Sequence, residues 1–245
     1  MGDAVADDIE QSGSVAPQEV APPPAYEDLA HRAEVFAIEA SLTDEQVSGR
    51  VQLACELDVA AVTVRPSDLD TAQRAMFGNT VLGVVCGFPH GASTTGVKVF
   101  EARDAMRRGA KLVSAVLNIG KLNSRHFQYV EMEIIQLAQA CHEQSAKLRV
   151  LFETPLLTEE SKLVAAKICK RSEADLAMPA VAPVPPSDEE ILLRKCPPLV
   201  EVTLRADDLT AALNALERGA TRLLLSRPVA TLAAWKERIS PPKAS

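Results

Sequence analysis

From residue 40 onward, short apolar runs alternate with amphipathic segments, and this alternation is what most limits the folds open to the chain. VAAVTV (59–64), TVLGVVC (80–86), LVSAVLNIG (112–120), LRVLFE (148–153), ADLAM (174–178), LVEVTL (199–204) and RLLLS (222–226) read as seven strands, with EVFAI (34–38) as an eighth. Nearly continuous apolar strands are buried on both faces, the condition of a parallel sheet covered by helices. The intervening segments carry helix signals. Thr43 is an N-cap, with Gln46 completing a capping box. The segment 97–110 is a helix stopped by Gly109, a long helix is expected over 123–143, and Thr158 caps the next. A short helix from Ser187 and helices over 207–218 and 229–238 complete the series. Regular repetition over this length predicts the α/β class and a single-domain (β/α)8 TIM barrel over residues 29–240. A doubly wound sheet is the alternative, but no G-x-G-x-x-G or G-x-x-x-x-G-K-[ST] loop joins a strand to its helix.

Residues 1–28 differ in kind. They are rich in Pro, Ala, Ser and acids and contain no Lys or Arg, so they are expected to form a disordered acidic tail. Their seven acids account for the whole formal charge of −7, which leaves the rest of the chain neutral. A neutral domain gives no electrostatic case for nucleic acid or an anionic membrane surface. No run of apolar residues is long enough to span a bilayer, and the acidic N-terminus does not read as a signal or transit peptide. The five cysteines are scattered without a C-x-x-C pair, which suits reduced thiols in a cytoplasmic protein.

The segment GFPHGASTTGVKVFEARDAMRRGAKLVSAVLNIGKL (87–122) contains GFPxG, then TT-x-x-K-x-x-EA, then GA and a strand ending N-I-G-x-L. Together with AAVTVRPSDL (60–69), VLFETPLLTEE (150–160), EADLAM (173–178) and ERGATRLLLS (217–226), it resembles the deoxyribose-phosphate aldolase family. The motifs keep order and spacing from about residue 40 to 232. The resemblance implies a barrel and a class I aldolase mechanism. In that mechanism a lysine forms a Schiff base with the substrate carbonyl, beside a second cation that lowers its pKa. It further implies a carboxylate that shuttles protons and glycine-rich loops that bind phosphate.

Position by position, the reactive groups do not carry over. The family's shuttling Asp corresponds to Ser114 in GAKLVSAVLNIG, its Schiff-base lysine to Met178 in ADLAMPAVAP, and its second lysine to Thr203 in VEVTLRADD. Leu224 stands at the phosphate-loop glycine, with Ser226 retained. A hydroxyl, a thioether and a second hydroxyl cannot replace a base and two amines. The expectation is therefore a divergent paralogue without the catalytic lysines, a pseudoenzyme needing no cofactor and no metal.

Other residues also admit chemistry. Cys86 and His90 in CGFPHG admit a Cys–His nucleophile, beside the plainer reading of a buried thiol and an exposed loop imidazole. Lys121 admits a relocated Schiff-base lysine, beside a solvated helix start. Asn118 and Glu153, at strand ends, are candidates for a residual small-molecule pocket, beside an equal reading in which they hydrogen-bond loops, and Ser226 is a further pocket candidate. His31, His126 and His142 show no metal-ligand spacing.

The function expected is binding, with a protein partner. An actin-type filament is the candidate, by analogy with other barrel aldolases that bind actin filaments, and Arg107, Arg108, Lys170 and Arg171 at helix ends would be the basic surface. The alternative is an active class I aldolase on a deoxyribose-phosphate-like sugar with relocated groups. A homodimer is expected from the family resemblance.

Overall fold

The structure, a computed structural model, describes residues 24–240. Eight strands form a closed parallel barrel in sequence order. They are β1 (Ala33–Ala37), β2 (Ala61–Val64), β3 (Val81–Cys86), β4 (Leu112–Val116), β5 (Lys147–Leu151), β6 (Leu176–Met178), β7 (Glu201–Ala206) and β8 (Arg222–Leu225). β8 returns to β1 through Ala33 opposite Leu223 and Glu34 opposite Leu224, so EVFAI, the eighth of the expected strands, is the one that closes the barrel.

The outer ring consists of α1 (Glu27–Ala30), α2 (Asp44–Glu56), α3 (Leu69–Ala75), α4 (Thr95–Arg107), α5 (Ile119–Asn123), α6 (Phe127–His142), α7 (Glu159–Arg171), α8 (Pro186–Lys195), α9 (Leu209–Glu217) and α10 (Pro228–Ile239). Thr43 caps α2 in a complete capping box, and Thr158 accepts from the Ser161 N–H at the start of α7. Gly109 follows α4 with φ +101°, a left-handed stop that costs glycine little. Three expectations need correction. The long helix expected over 123–143 is present as α6 but starts only at Phe127, because Arg125 before it adopts a left-handed φ of 62° and the short α5 ends at Asn123. A helix over 69–75 was not foreseen; a 3-10 turn at Pro66–Asp68 leads into it. The expected tail boundary at residue 28 falls inside ordered chain. The Tyr26 hydroxyl donates to the Leu57 carbonyl at 3.0 Å, and Trp235 Nε1 donates to the Ala25 carbonyl at 3.1 Å. The rest of the expected tail, 1–23, lies outside the described residues.

Residues paired across a parallel ladder share a face. The register therefore links inward-facing sets around the barrel: Thr63, Gly83, Leu112 and Lys147; Ser114, Arg149, Leu176 and Glu201; Arg205, Leu224 and Glu34. The alternate residues, such as Val62, Val84, Val113 and Val150, point outward into the main core shared with the helices. Gly83 is required by this packing, since a Cβ there would lie 2.6 Å from Thr63 Oγ1. No helix among the described residues is long and apolar enough to cross a membrane.

Candidate functional site

Ligand sites of parallel α/β barrels form at the C-terminal ends of the strands. Here that end is closed from within by an apolar layer. Phe36, Val85, Val116, Leu151, Met178 and Leu224 are buried together, with Ile38 among them and Phe88 and Val181 packed above. Below the layer lies a polar one. Arg149 on β5 forms an ion pair with Glu34 on β1 across the barrel, and both side chains are fully buried. The Arg149 guanidinium lies 5.7 Å from the Phe36 ring centroid and donates to Ser114 Oγ at 3.5 Å, the long limit of a hydrogen bond. Arg222 approaches the other Glu34 oxygen at 3.6 Å.

The three positions that the sequence resemblance sets against reactive groups all lie within these two layers. Met178 is part of the apolar layer, and Ser114 and Thr203 are in the polar one, each 0% exposed. Among the described residues the Thr203 hydroxyl has no hydrogen-bond partner.

Above the apolar layer is an open cavity of about 620 Å³. Phe36, Ile38, Phe88, Val181 and Leu224 give it an apolar wall, and its charged lining residues are Glu39, Arg50, Glu153 and Arg205. Three of the four are neutralised locally. Arg50 Nη1 bonds both Glu39 carboxylate oxygens, at 2.7 and 2.6 Å, and holds that carboxyl below its ordinary pKa despite partial burial. Arg205 pairs with Asp207 at 3.0 Å, and Asp207 also accepts from Ser226 Oγ at 2.6 Å. Glu153 differs. Its backbone is left-handed, with φ 52° and ψ 53°, which strains a non-glycine residue. The turn is held by Phe152 N–H to the Met178 carbonyl at 3.0 Å and Thr154 N–H to the Pro179 carbonyl at 2.9 Å. Burial pushes the Glu153 carboxyl above its usual pKa, opposed by a bond from the Val181 N–H.

The sequence candidates thus separate. Glu153 and Ser226 line the cavity. Asn118 does not; its amide oxygen accepts the Lys121 N–H at 3.1 Å and caps α5. Lys121 sits on the outside, its ammonium 5.4 Å from the Tyr129 ring centroid. Cys86 is buried, with its thiol against the Lys98 carbonyl at 3.3 Å, and burial raises its pKa well above the ordinary value, whereas His90 is exposed. Lys98 is buried as well, donating to the Val116 carbonyl at 2.8 Å and to Glu133 at 2.7 Å, which ties α4 and α6 to the end of β4. Among the described residues no group of three His, Cys, Asp or Glu side chains could hold a metal ion. Of the expected basic surface, Arg107, Arg108 and Arg171 are each paired with an acid, Asp104, Asp70 and Glu131. Sequence reasoning missed the Glu34–Arg149 pair and Arg205, although a charge inside each of three apolar strands was the available signal.

No family model matches the chain. It is 32% identical over 200 residues to the deoxyribose-phosphate aldolase of Streptococcus sanguinis, covering 78% of this chain and 89% of that one. It is 39% identical over 123 residues to the deoxyribose-phosphate aldolase of Clostridium perfringens, a match covering 50% of this chain and only 54% of that relative. Among solved structures, the aldolase QR15 superposes with a TM-score of 0.79 at 26% identity, covering 86% of this chain and 97% of that one. The deoxyribose phosphate aldolase of Aeropyrum pernix shares the fold, with a TM-score of 0.77 at 22% identity, covering 87% and 93%.

Proposed function

The chain belongs to the deoxyribose-phosphate aldolase family, and from that premise we propose that it is a member without the Schiff-base reaction, a pseudoenzyme that works by binding. The observation that carries this reading is the lining of the mouth: among the described residues, no lysine reaches the cavity. A Schiff base needs an amine that can lose its proton and meet a carbonyl. Lys98 is buried in an ion pair, Lys162 is held between Glu159 and Asp188, and Lys121 lies against an outer helix. Met178, Thr203 and Ser114, at the aligned positions, are sealed beneath the cavity floor.

On this reading the partner is a protein and the setting cytoplasmic, in keeping with five free cysteines. An actin-type filament is the first candidate to test, by co-sedimentation. The ion pairs at Arg107, Arg108 and Arg171 leave charge a weak basis for that choice.

The kinship with aldolases favours a second reading, an active aldolase on a deoxyribose-phosphate-like sugar with relocated groups. Borohydride reduction in the presence of acetaldehyde or deoxyribose 5-phosphate, followed by mass spectrometry, separates the two. The expected result is no lysine adduct. An adduct on any lysine overturns the binding-only reading and establishes the second.

A further inference from the structure

Glu153 is the one charged residue lining the mouth cavity that has no counter-charge among the described residues. Glu39 is bound to Arg50, and Arg205 to Asp207, so both guanidiniums are satisfied within the protein. Among the described residues no ion pair involves Glu153; the Val181 N–H is the group that opposes the effect of burial on its carboxyl. The carboxyl is also costly to hold where it is. It is partly buried and lines the same cavity as Phe36, Ile38, Phe88 and Val181, on a backbone turn that a non-glycine residue adopts only under strain. Strain together with an uncompensated acid, both at a strand end facing a cavity, is the combination expected of a binding group whose partner is not part of the fold.

The chemistry of that partner follows from the walls. A half-buried carboxylate is complemented by a hydrogen-bonding cation. The surrounding apolar wall, with the two phenylalanine side chains, favours an ammonium carrying a hydrocarbon body over a bare inorganic cation, since aromatic faces attract organic cations. The cavity, at about 620 Å³, is within the range of small-molecule sites. We propose that the barrel mouth is a reversible binding site for a small organic ammonium, with Glu153 as its anchor and the Phe36, Phe88 and Val181 side chains as its apolar cradle. This goes beyond the loss of the Schiff-base reaction and does not depend on it, because the amine is the ligand and no lysine takes part.

The test compares three ligands of one shape and different charge, benzylamine, benzyl alcohol and benzoate, titrated calorimetrically into the whole protein at neutral pH. Benzylamine is expected to bind at least tenfold more tightly than benzyl alcohol, and benzoate to give no heat. In Glu153→Gln, benzylamine should fall to the affinity of benzyl alcohol, while Glu153→Asp should keep a preference for the amine. Benzoate binding most tightly would assign the site to Arg50 and Arg205 and overturn the proposal. So would equal affinities for all three, no binding by any, or benzylamine affinity unchanged in Glu153→Gln. The comparison in the unmodified protein decides charge preference whether or not either variant folds, and the borohydride experiment is read separately, from covalent adducts.

Discussion

Met178 has no contact with solvent and six buried apolar neighbours in its layer, Phe36, Ile38, Val85, Val116, Leu151 and Leu224. Its thioether fills a long, narrow volume without a charge. A lysine there would bring an ammonium into that layer with the Arg149 cation one layer below and the Glu34 carboxylate already engaged. Met178→Lys is therefore expected to lose about 3 kcal/mol of stability, as for other uncompensated buried charges. It should also gain no retro-aldol activity, since Thr203 and Ser114 supply neither a second cation nor a base. Chemical denaturation and a coupled assay for acetaldehyde release check both halves. An unchanged unfolding midpoint, or turnover above the parent, would refute the account given for this position. Glu153 illustrates the converse at the same scale, a polar group held at the surface of the layer by a strained turn, where burial makes its ionised form the less comfortable one.

At the scale of elements, β1 and β5 are joined across the barrel by Glu34 and Arg149, although neither strand pairs with the other in the sheet. Removing one member leaves the other charged and buried, so Arg149→Met alone should cost about 3–5 kcal/mol. Adding Glu34→Leu should recover much of the loss, because an apolar pair of similar volume needs no desolvation. Urea unfolding of the two single variants and the double variant measures the coupling; additive effects would mean that the pair does not act as a unit. This pair also marks the limit of what the sequence discloses. The eight strands were legible because apolar runs and helix caps are local signals, and Thr43, Gln46, Gly109 and Thr158 act as their residue types predict. The layers inside the barrel were not. Which residues meet there depends on the register between neighbouring strands, and EVFAI gives no hint that Glu34 faces an arginine 115 positions away. The late start of α6, at Phe127 rather than at 123, was hidden for a related reason: a left-handed Arg125 has no compositional mark. For Asn118, residue type and strand-end position left two readings open, and the local hydrogen-bonding one holds, as a cap on α5.

For the molecule as a whole, the five cysteines report on the integrity of the core. All five are buried. Burial raises the thiols of Cys86 and Cys169 and pushes those of Cys141 and Cys196 up to about 12, so they offer almost no thiolate near neutral pH. The folded protein should be inert to Ellman's reagent and release five equivalents once unfolded. A thiol that reacts promptly in the native state would mean that part of the helix ring opens readily. A last consequence comes from the contacts at the ends of the described chain, where Trp235 on α10 meets Ala25 across 210 positions and β8 pairs with β1. In terms of chain statistics, these are among the longest loops the fold closes, and closure entropy grows with the logarithm of loop length. Neighbouring strands can find one another over short spans, but this seam must wait for the intervening barrel to bring its edges together. The β1–β8 pairing is therefore expected to form after the sequential strand pairs.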